Sequence, residues 1–227
     1  MKTLLREAWP LALLLAATLI LTACGGSGGG QQGSESHDGG HGMAKNGGMD
    51  HDQMGHGSMG MGSGGMAKQM VMHNGKYSDK AFIDAMVPHH QGAIAMAQVA
   101  LKNAEHEEIK ELSRNIVSTQ QTEIEELKAI KKVEFGSSHV PMEMNQEQMR
   151  AMGTMMDPQA LAEEDPFDRA FIDAMIPHHR SAIAMAKVAN QESENPRIKE
   201  LAENIVSAQK GEIEQMKRWR EQWYQEG

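Results

Sequence analysis

Apolar residues recur every three or four positions through most of the last two thirds of the chain, a spacing that predicts amphipathic helices. Ala, Glu, Lys, Leu and Met, which favour helix, are frequent there, whereas β-branched runs and turn dipeptides are few. Pro196 suits the first turn of a helix, where a missing N–H costs little. The pattern predicts an all-α domain over residues 76–227, with main helices at 79–101, about 107–132, 168–190 and about 196–225.

This helical region is an internal duplication. The segment Phe82–Ala100 recurs as Phe171–Ala189, and the offset of 89 residues continues without a gap into the second helix of each copy. From Phe82 onward, 29 of 47 positions are identical, far more than chance produces. Repeats at about 79–132 and 168–221 are therefore predicted to form two helical hairpins, and two hairpins predict a four-helix bundle.

The Met-rich connector between the repeats, residues 133–167, is predicted to contain a further short helix. Met149 and Met152, with either Met155 or Met156, fall at helical spacing within it. These methionines serve equally well as one face of a helix or as a patch of metal ligands, and the spacing does not decide between the two.

Each repeat places paired histidines on or beside the predicted buried face of its first helix. In the first repeat that face consists of Phe82, Met86, His89, Ala93, Met96 and Ala100, with His90 beside it. Glu123 lies on the apolar stripe of the following helix, and a buried carboxylate is costly unless paired. The histidines are its predicted partners, and a carboxylate that accepts from one imidazole nitrogen leaves the other oriented for a metal.

Two alternatives stay open for these histidines and carboxylates. The glutamates may be read as direct metal ligands, or the whole His–Glu network as a packing device, and methionines alone are more often core residues. The predicted ligands in the helices are Met86, His89, His90, Met96, Glu123, Met175, His178, His179, Met185 and Glu212. Gln120 and Gln209, on the same stripes, are predicted to support these ligands, whereas Asp84 and Asp173 either cap a helix segment or join the site.

The first 23 residues have the features of a bacterial lipoprotein signal peptide. Lys2 and Arg6 precede an apolar run of 11 residues, Leu11–Leu21, which is too short to span a bilayer as a helix. The run ends in Leu-Thr-Ala-Cys24 followed by two glycines, which looks like a lipobox. Cys24 is therefore predicted to become the lipidated N-terminus, tethering the protein to the outer side of a bacterial membrane, in the periplasm or at the cell surface.

Residues 24–75 are predicted to be a flexible tether that carries metal ligands. Gly, Ser and Gln dominate its start, and His and Met are interleaved with Gly and Asp from His37 onward. Without apolar periodicity this disordered tail cannot bury its methionines, whose soft thioethers suit Cu(I), while imidazole suits Cu(II) and other transition metals. The alternatives are that this composition is a low-complexity sequence without a function, or that it binds metals in general through its histidines. The predicted tail ligands are His37, His41, Met49, His51, Met54, His56, Met59, Met61 and His73.

Composition agrees with this chemistry and excludes several classes of protein. The chain of 227 residues has 20 Met and 11 His but a single Cys, so it is neither a disulfide scaffold nor a zinc site built on several thiolates. The formal charge of −9 and an aromatic content of 4% argue against nucleic-acid binding. Metal ions and the membrane are thus the predicted partners, and the sequence identifies no protein partner.

A family resemblance is carried by the twin segments Asp84-Ala-Met-Val-Pro-His-His90 and Asp173-Ala-Met-Ile-Pro-His-His179. The segments Ala93-Ile-Ala-Met-Ala and Ala182-Ile-Ala-Met-Ala, and the later Gln-x-x-Glu-Ile of each repeat, add to it. Over about residues 79–223 the chain resembles a bacterial family named domain of unknown function 305. The resemblance implies a ferritin-like helical bundle outside the cytoplasm, and some members are described as copper-binding proteins linked to copper tolerance.

Three functions compete at this point. The favoured one is a membrane-anchored protein that sequesters or transfers copper in copper tolerance, with another transition metal as a variant. A copper-dependent metal oxidase is the second; a di-iron oxidase is disfavoured because no Glu-x-x-His occurs in the chain. A non-catalytic structural or interaction bundle, with the His–Glu pairs as packing elements, is the third. No nucleophile triad or phosphate loop is present, so an enzyme is the less favoured reading.

Overall fold

The computed structural model describes residues 63–153 and 157–224, which are almost entirely helical. The elements in chain order are α1 (Ser63–Met70), β1 (Met72–His73), β2 (Lys76–Tyr77), α2 (Asp79–Asn103), α3 (Glu107–Phe135), α4 (Gln146–Ala151), α5 (Pro158–Leu161), α6 (Phe167–Glu192) and α7 (Pro196–Trp223). No helix among the described residues is long and apolar enough to cross a membrane.

Two helical hairpins, α2–α3 and α6–α7, form the bundle, and α2 packs against α6. Local signals set their ends: the Ser78 hydroxyl accepts from the Ala81 N–H at the start of α2, and Gly136 ends α3 with a φ of 73°. Asn195 caps α7, whose first residue is Pro196. The predicted all-α fold, a four-helix bundle built from duplicated hairpins, is confirmed, and the four main helices end within three residues of the predicted bounds.

The buried side chains form two clusters that divide the bundle. One contains Phe82, Met86 and Val87 from the first half of α2, together with Met185 and Ala189 from the second half of α6. The other contains Met96 and Ala100 of α2 with Phe171 and Met175 of α6. The first half of each helix therefore shares a cluster with the second half of the other, which means that α2 and α6 run antiparallel. The histidine pairs lie between the clusters, at the point where the two helices cross.

The prediction of a tether over 24–75 is wrong for residues 63–75, which fold onto the bundle. Ala67 and Val71 are fully buried in the first core cluster, and α1 packs against α6. Strands β1 and β2 pair antiparallel around a two-residue turn, Asn74-Gly75, in which both residues have positive φ. Asn-Gly is the preferred sequence for such a turn, so the hairpin had a signal that the low-complexity interpretation overlooked.

The connector contains two short helices instead of the single predicted one. Met149 lies in α4, whose start carries a capping box formed by Asn145 and Gln148. Met152 follows the end of α4 and is fully buried, whereas Met155 and Met156 lie outside the described residues.

Candidate metal centre

Four histidines meet at the centre of the bundle, and all four side chains are fully buried. His89 and His90 come from α2, and His178 and His179 come from the equivalent turn of α6. The rings of His89 and His178 are stacked, with centroids 3.8 Å apart and an interplanar angle of 19°. The two repeats thus contribute symmetrically to one buried cluster, which we call the central histidines.

The inner two rings are held through their Nε2 atoms. The His89 Nε2 atom lies 2.7 Å from the Ser181 hydroxyl oxygen, and the single proton of that hydroxyl is shared between, or given to one of, the carbonyl oxygens of Met152 (2.7 Å) and His178 (2.6 Å). Because the serine proton is directed at carbonyls, its oxygen must accept from His89. The His178 Nε2 atom lies 3.1 Å from the His89 carbonyl oxygen and can only donate to it.

The outer two rings face the carboxylates of the same repeat. The His179 Nε2 atom donates to a Glu212 oxygen at 2.6 Å. The His90 Nε2 atom lies 2.9 Å from a Glu123 oxygen, an ion-pair distance at which the two groups are not aligned for a hydrogen bond. The predicted pairing of these glutamates with the histidines is therefore what the structure contains, and it favours a proton on Nε2 in both rings.

All four imidazoles consequently present the same atom to the interior. The Nδ1 atom of every central histidine is buried and has no hydrogen-bond partner among the described residues. With protons on Nε2, each Nδ1 atom carries a free lone pair, which is the form in which imidazole binds a metal. A buried polar atom without a partner is costly, so four in one cluster indicate a ligand site more strongly than a packing device.

The electrostatics of the cluster keep the inner rings neutral. Burial lowers the pKa of His89 well below its ordinary value of 6.5, and neighbouring imidazoles lower it further. Burial likewise lowers the pKa of His178 to about 3. Both rings are neutral at physiological pH, so no proton has to leave before a metal binds.

Buried thioether and amide groups occur on the same helices and on their hairpin partners. Met86, Met96, Met175 and Met185 are at most 2% exposed, and each core cluster receives one methionine from each repeat. Gln120 and Gln209 are also buried, and neither side-chain oxygen has a hydrogen-bond partner among the described residues. No three His, Cys, Asp or Glu side chains in the described part of the chain are close enough to hold an ion by themselves. An ion at this centre would therefore need a donor of another kind besides these side chains, and the buried methionine sulfur and glutamine oxygen atoms are candidates.

Several predicted site residues lie elsewhere. Asp84 pairs with Lys131 and Lys80, and Asp173 pairs with Arg220 through a 2.6 Å contact, so neither aspartate contacts the central histidines. His73 is exposed on β1. The other predicted tail ligands and the lipidation site lie outside the described residues: Cys24, His37, His41, Met49, His51, Met54, His56, Met59 and Met61.

Sequence reasoning missed one residue of the centre, Ser181. It is fully buried and holds His89 in a fixed orientation. The equivalent position in the first repeat is Gly92, so His178 has no matching hydroxyl and donates to a backbone carbonyl instead. This difference, Gly92 in one repeat and Ser181 in the other, is the feature of the sequence that could have pointed to Ser181.

Solved structures of other proteins have a similar architecture. The chain is similar to CopM, whose Cu(II)-bound form is 41% identical with a TM-score of 0.60 and whose Cu(I)-bound form is 42% identical with a TM-score of 0.59. In each case the match covers 66% of this chain and 99% of CopM. A DUF305 fragment from Deinococcus radiodurans is 25% identical with a TM-score of 0.55, covering 61% of this chain and 92% of the fragment.

A curated relative and a family model complete the comparison. An uncharacterised protein of Acanthamoeba polyphaga mimivirus, L153, is 43% identical over 49 residues, which are 22% of this chain and 32% of that protein. This match thus spans about a third of the relative's length. The family model described as domain of unknown function (DUF305) matches residues 26–131 and 131–220. Both repeats are included, and the resemblance seen in the sequence is confirmed: the chain belongs to the DUF305 family.

Proposed function

We propose that this protein is a lipid-anchored, extracytoplasmic copper-binding protein that sequesters or transfers copper through its histidines and methionines. Copper is the cargo in this proposal. The central histidines bind the ion, and the methionines of the two core clusters complete its coordination.

The four unpartnered Nδ1 atoms are the observation that carries the proposal. A His–Glu network that only fixed the packing would need hydrogen-bonded imidazoles, because each unsatisfied buried polar group costs about 1–3 kcal/mol. Here three of the four Nε2 atoms are hydrogen-bonded, the His90 Nε2 atom lies at ion-pair distance from Glu123, and all four Nδ1 atoms are without a partner. This division orients each ring through one nitrogen and leaves the other for a metal.

The identity of the metal follows from the donor types. Imidazole nitrogen with thioether sulfur suits copper, with sulfur favouring Cu(I), while residues 63–153 and 157–224 contain no group of carboxylates that would favour a hard cation. CopM resembles this chain over 99% of CopM's own length, and it has been crystallised with Cu(I), Cu(II) and silver. Silver is a further soft ion, so the three forms agree with a soft N/S site.

The N-terminal part of the proposal rests on sequence. Cys24 anchors the protein to a membrane, and the His- and Met-rich tail captures ions and raises their concentration near the bundle. Replacement of Cys24 with Ser is expected to release the protein from the membrane fraction and to abolish labelling with palmitate. A Cys24→Ser variant that stays in the membrane fraction and is still labelled with palmitate would refute the lipid anchor. That result would leave the proposal of copper binding by the bundle unchanged.

Equilibrium dialysis of the full chain against Cu(I) and Cu(II) tests the copper site. We expect the variant H89N/H90N/H178N/H179N to lose at least one equivalent of tightly bound copper. Binding no tighter than micromolar by the unaltered protein, or unchanged binding by a folded variant, would contradict the proposal.

A milder pair of variants guards against a failure of folding. Met and Leu have similar volumes, so M86L/M185L should fold with a loss of stability under about 1.5 kcal/mol. We expect its affinity for Cu(I) to fall at least tenfold. Met216→Leu is the matched control, because Met216 is fully buried and the first repeat carries Leu127 at the equivalent position. If M86L/M185L and Met216→Leu bind Cu(I) with equal affinity, Met86 and Met185 are not ligands of the site.

A further inference from the structure

A groove of about 490 Å³ opens on the surface between α1, the start of α2 and the connector that precedes α4. Met70, His73 and Met144 line it, and each comes from a different segment of the chain. Met70 ends α1, His73 lies in β1, and Met144 immediately precedes the cap of α4. We call these three residues the groove ligands.

The groove ligands combine fixed positions with access to solvent. Met70 and Met144 are partly buried and pack against the first core cluster, so the conformations of their side chains are restricted. His73 is exposed, and its backbone is held by the pairing of β1 with β2. Two thioethers and one imidazole that line one opening are a donor set suited to a soft transition-metal ion.

Charge on the walls of the groove does not oppose a cation. Asp84 and Glu143 both line it. Among the described residues that line it, Lys80 is the one cationic side chain, and its ammonium is 2.7 Å from an Asp84 oxygen. Lys131, which does not line the groove, also pairs with Asp84. These four charges compensate one another, so a monovalent ion meets no excess of positive charge.

The floor of the groove touches the support of the central histidines. Met152 lines the groove, and its carbonyl oxygen accepts from Ser181, whose oxygen accepts from His89. Pro88, the residue before His89, lines the groove as well. Two residues of the groove lining, Pro88 and Met152, are thus directly linked to His89 or to the residue that holds it.

We propose that the groove ligands form a second metal site, which takes a soft monovalent ion, Cu(I) or Ag(I), through the Met70 and Met144 sulfur atoms and a His73 ring nitrogen. The site is open to solvent, lies beside the residues that support the central histidines, and receives the ion before it reaches the interior. This inference rests on the proposed copper chemistry, but it requires none of the central histidines as ligands.

Titration of the full chain, labelled with ¹³C at the methionine methyl groups, with silver nitrate in chloride-free buffer tests the site by NMR. Resonances are assigned by single Met→Leu variants. We expect the methyl signals of Met70 and Met144 to move together over the same range of Ag(I). The signal of Met142, which is 44% exposed and does not line the groove, should not move with them. Unmoved Met70 and Met144 signals at saturation would overturn the proposal.

Stoichiometry gives the second readout. The variant M70L/H73Q/M144L is expected to retain one equivalent of Ag(I) fewer than the unaltered chain, whereas Met142→Leu should retain the same amount. Equal retention by the triple variant would also overturn the site. In H89N/H90N/H178N/H179N the groove signals should still move. If the Met70 and Met144 signals move and this variant binds as much metal as the unaltered chain, the groove site is supported and the central site is refuted. If this variant loses one equivalent of metal and the Met70 and Met144 signals never move, the central site is supported and the groove site is refuted.

Discussion

Replacement of Glu212 with Ala tests the link between the carboxylates and the central histidines. The Glu212 carboxylate accepts the Nε2 proton of His179 at 2.6 Å, and the His179 side chain is fully buried. In the alanine variant this donor has no protein acceptor. Glu212→Gln keeps an oxygen in place and is the conservative partner variant.

The expected magnitude follows from the geometry. A hydrogen bond to a charged group contributes about 1.5–3 kcal/mol, and a buried donor left unsatisfied costs about 1–3 kcal/mol. Because the Glu212 side chain is 18% exposed, water can reach part of the space left by the alanine, so a loss of about 1–3 kcal/mol is expected. For a domain of this size that corresponds to a melting temperature lower by about 2–12 °C. Loss of an outer partner of a ligating histidine also lowers metal affinity by about 10–100-fold.

Thermal unfolding followed by circular dichroism measures the first effect, and competition with a Cu(I) chelator measures the second. Glu123→Ala should cost less stability, because its pair with His90 is not aligned for a hydrogen bond. Glu214→Ala, an exposed position on the same helix, should change neither quantity. An alanine variant at 212 that melts like the unaltered protein and binds copper equally well would refute the reasoning.

Three further predictions concern the same fold. Acidification below about pH 6.5 should destabilise the metal-free protein by roughly 1 kcal/mol per pH unit for each of His89 and His178, because their folded-state pKa values are lowered and the unfolded chain takes up the protons. Melting curves between pH 7 and 5 check this, and a slope unchanged in H89Q/H178Q would contradict it. Gly153→Ala should lower stability by about 1 kcal/mol or more, since φ is +69° and a Cβ would lie 2.9 Å from backbone of α6, whereas Gly211→Ala, in open helix, should raise it by about 0.5–1 kcal/mol; equal melting temperatures would refute this. Asp168→Ala should cost about 2–4 kcal/mol in urea unfolding, because the buried carboxylate accepts three hydrogen bonds from the turn between α2 and α3; a loss below 1 kcal/mol would count against it.

The sequence was sufficient for the parts of this fold that depend on periodicity. The duplication, the four main helices and the buried stripes follow from apolar spacing, as does the meeting of Glu212 with His179. The same spacing could not reveal that Met86 shares a cluster with Met185, because that depends on the antiparallel crossing of α2 and α6.

Other features of the site depend on side-chain contacts between distant segments. Ser181 fixes His89 across 92 residues of chain, and the carbonyl of Met152 joins them from the connector. The proton position on each ring follows only from such partners. The folding of residues 63–75 was missed for a different reason: Gly and Met dominated the local composition and obscured both the Asn74-Gly75 turn and the burial of Ala67 and Val71.

Long-range ¹H–¹⁵N NMR of the histidine side chains, recorded before and after loading with Ag(I), tests the central claim most directly. We expect the Nδ1 resonances of His89, His90, His178 and His179 to move on loading while their Nε2 atoms keep their protons. Metal that binds tightly while these Nδ1 resonances stay in place, or that displaces the Nε2 protons, would contradict it.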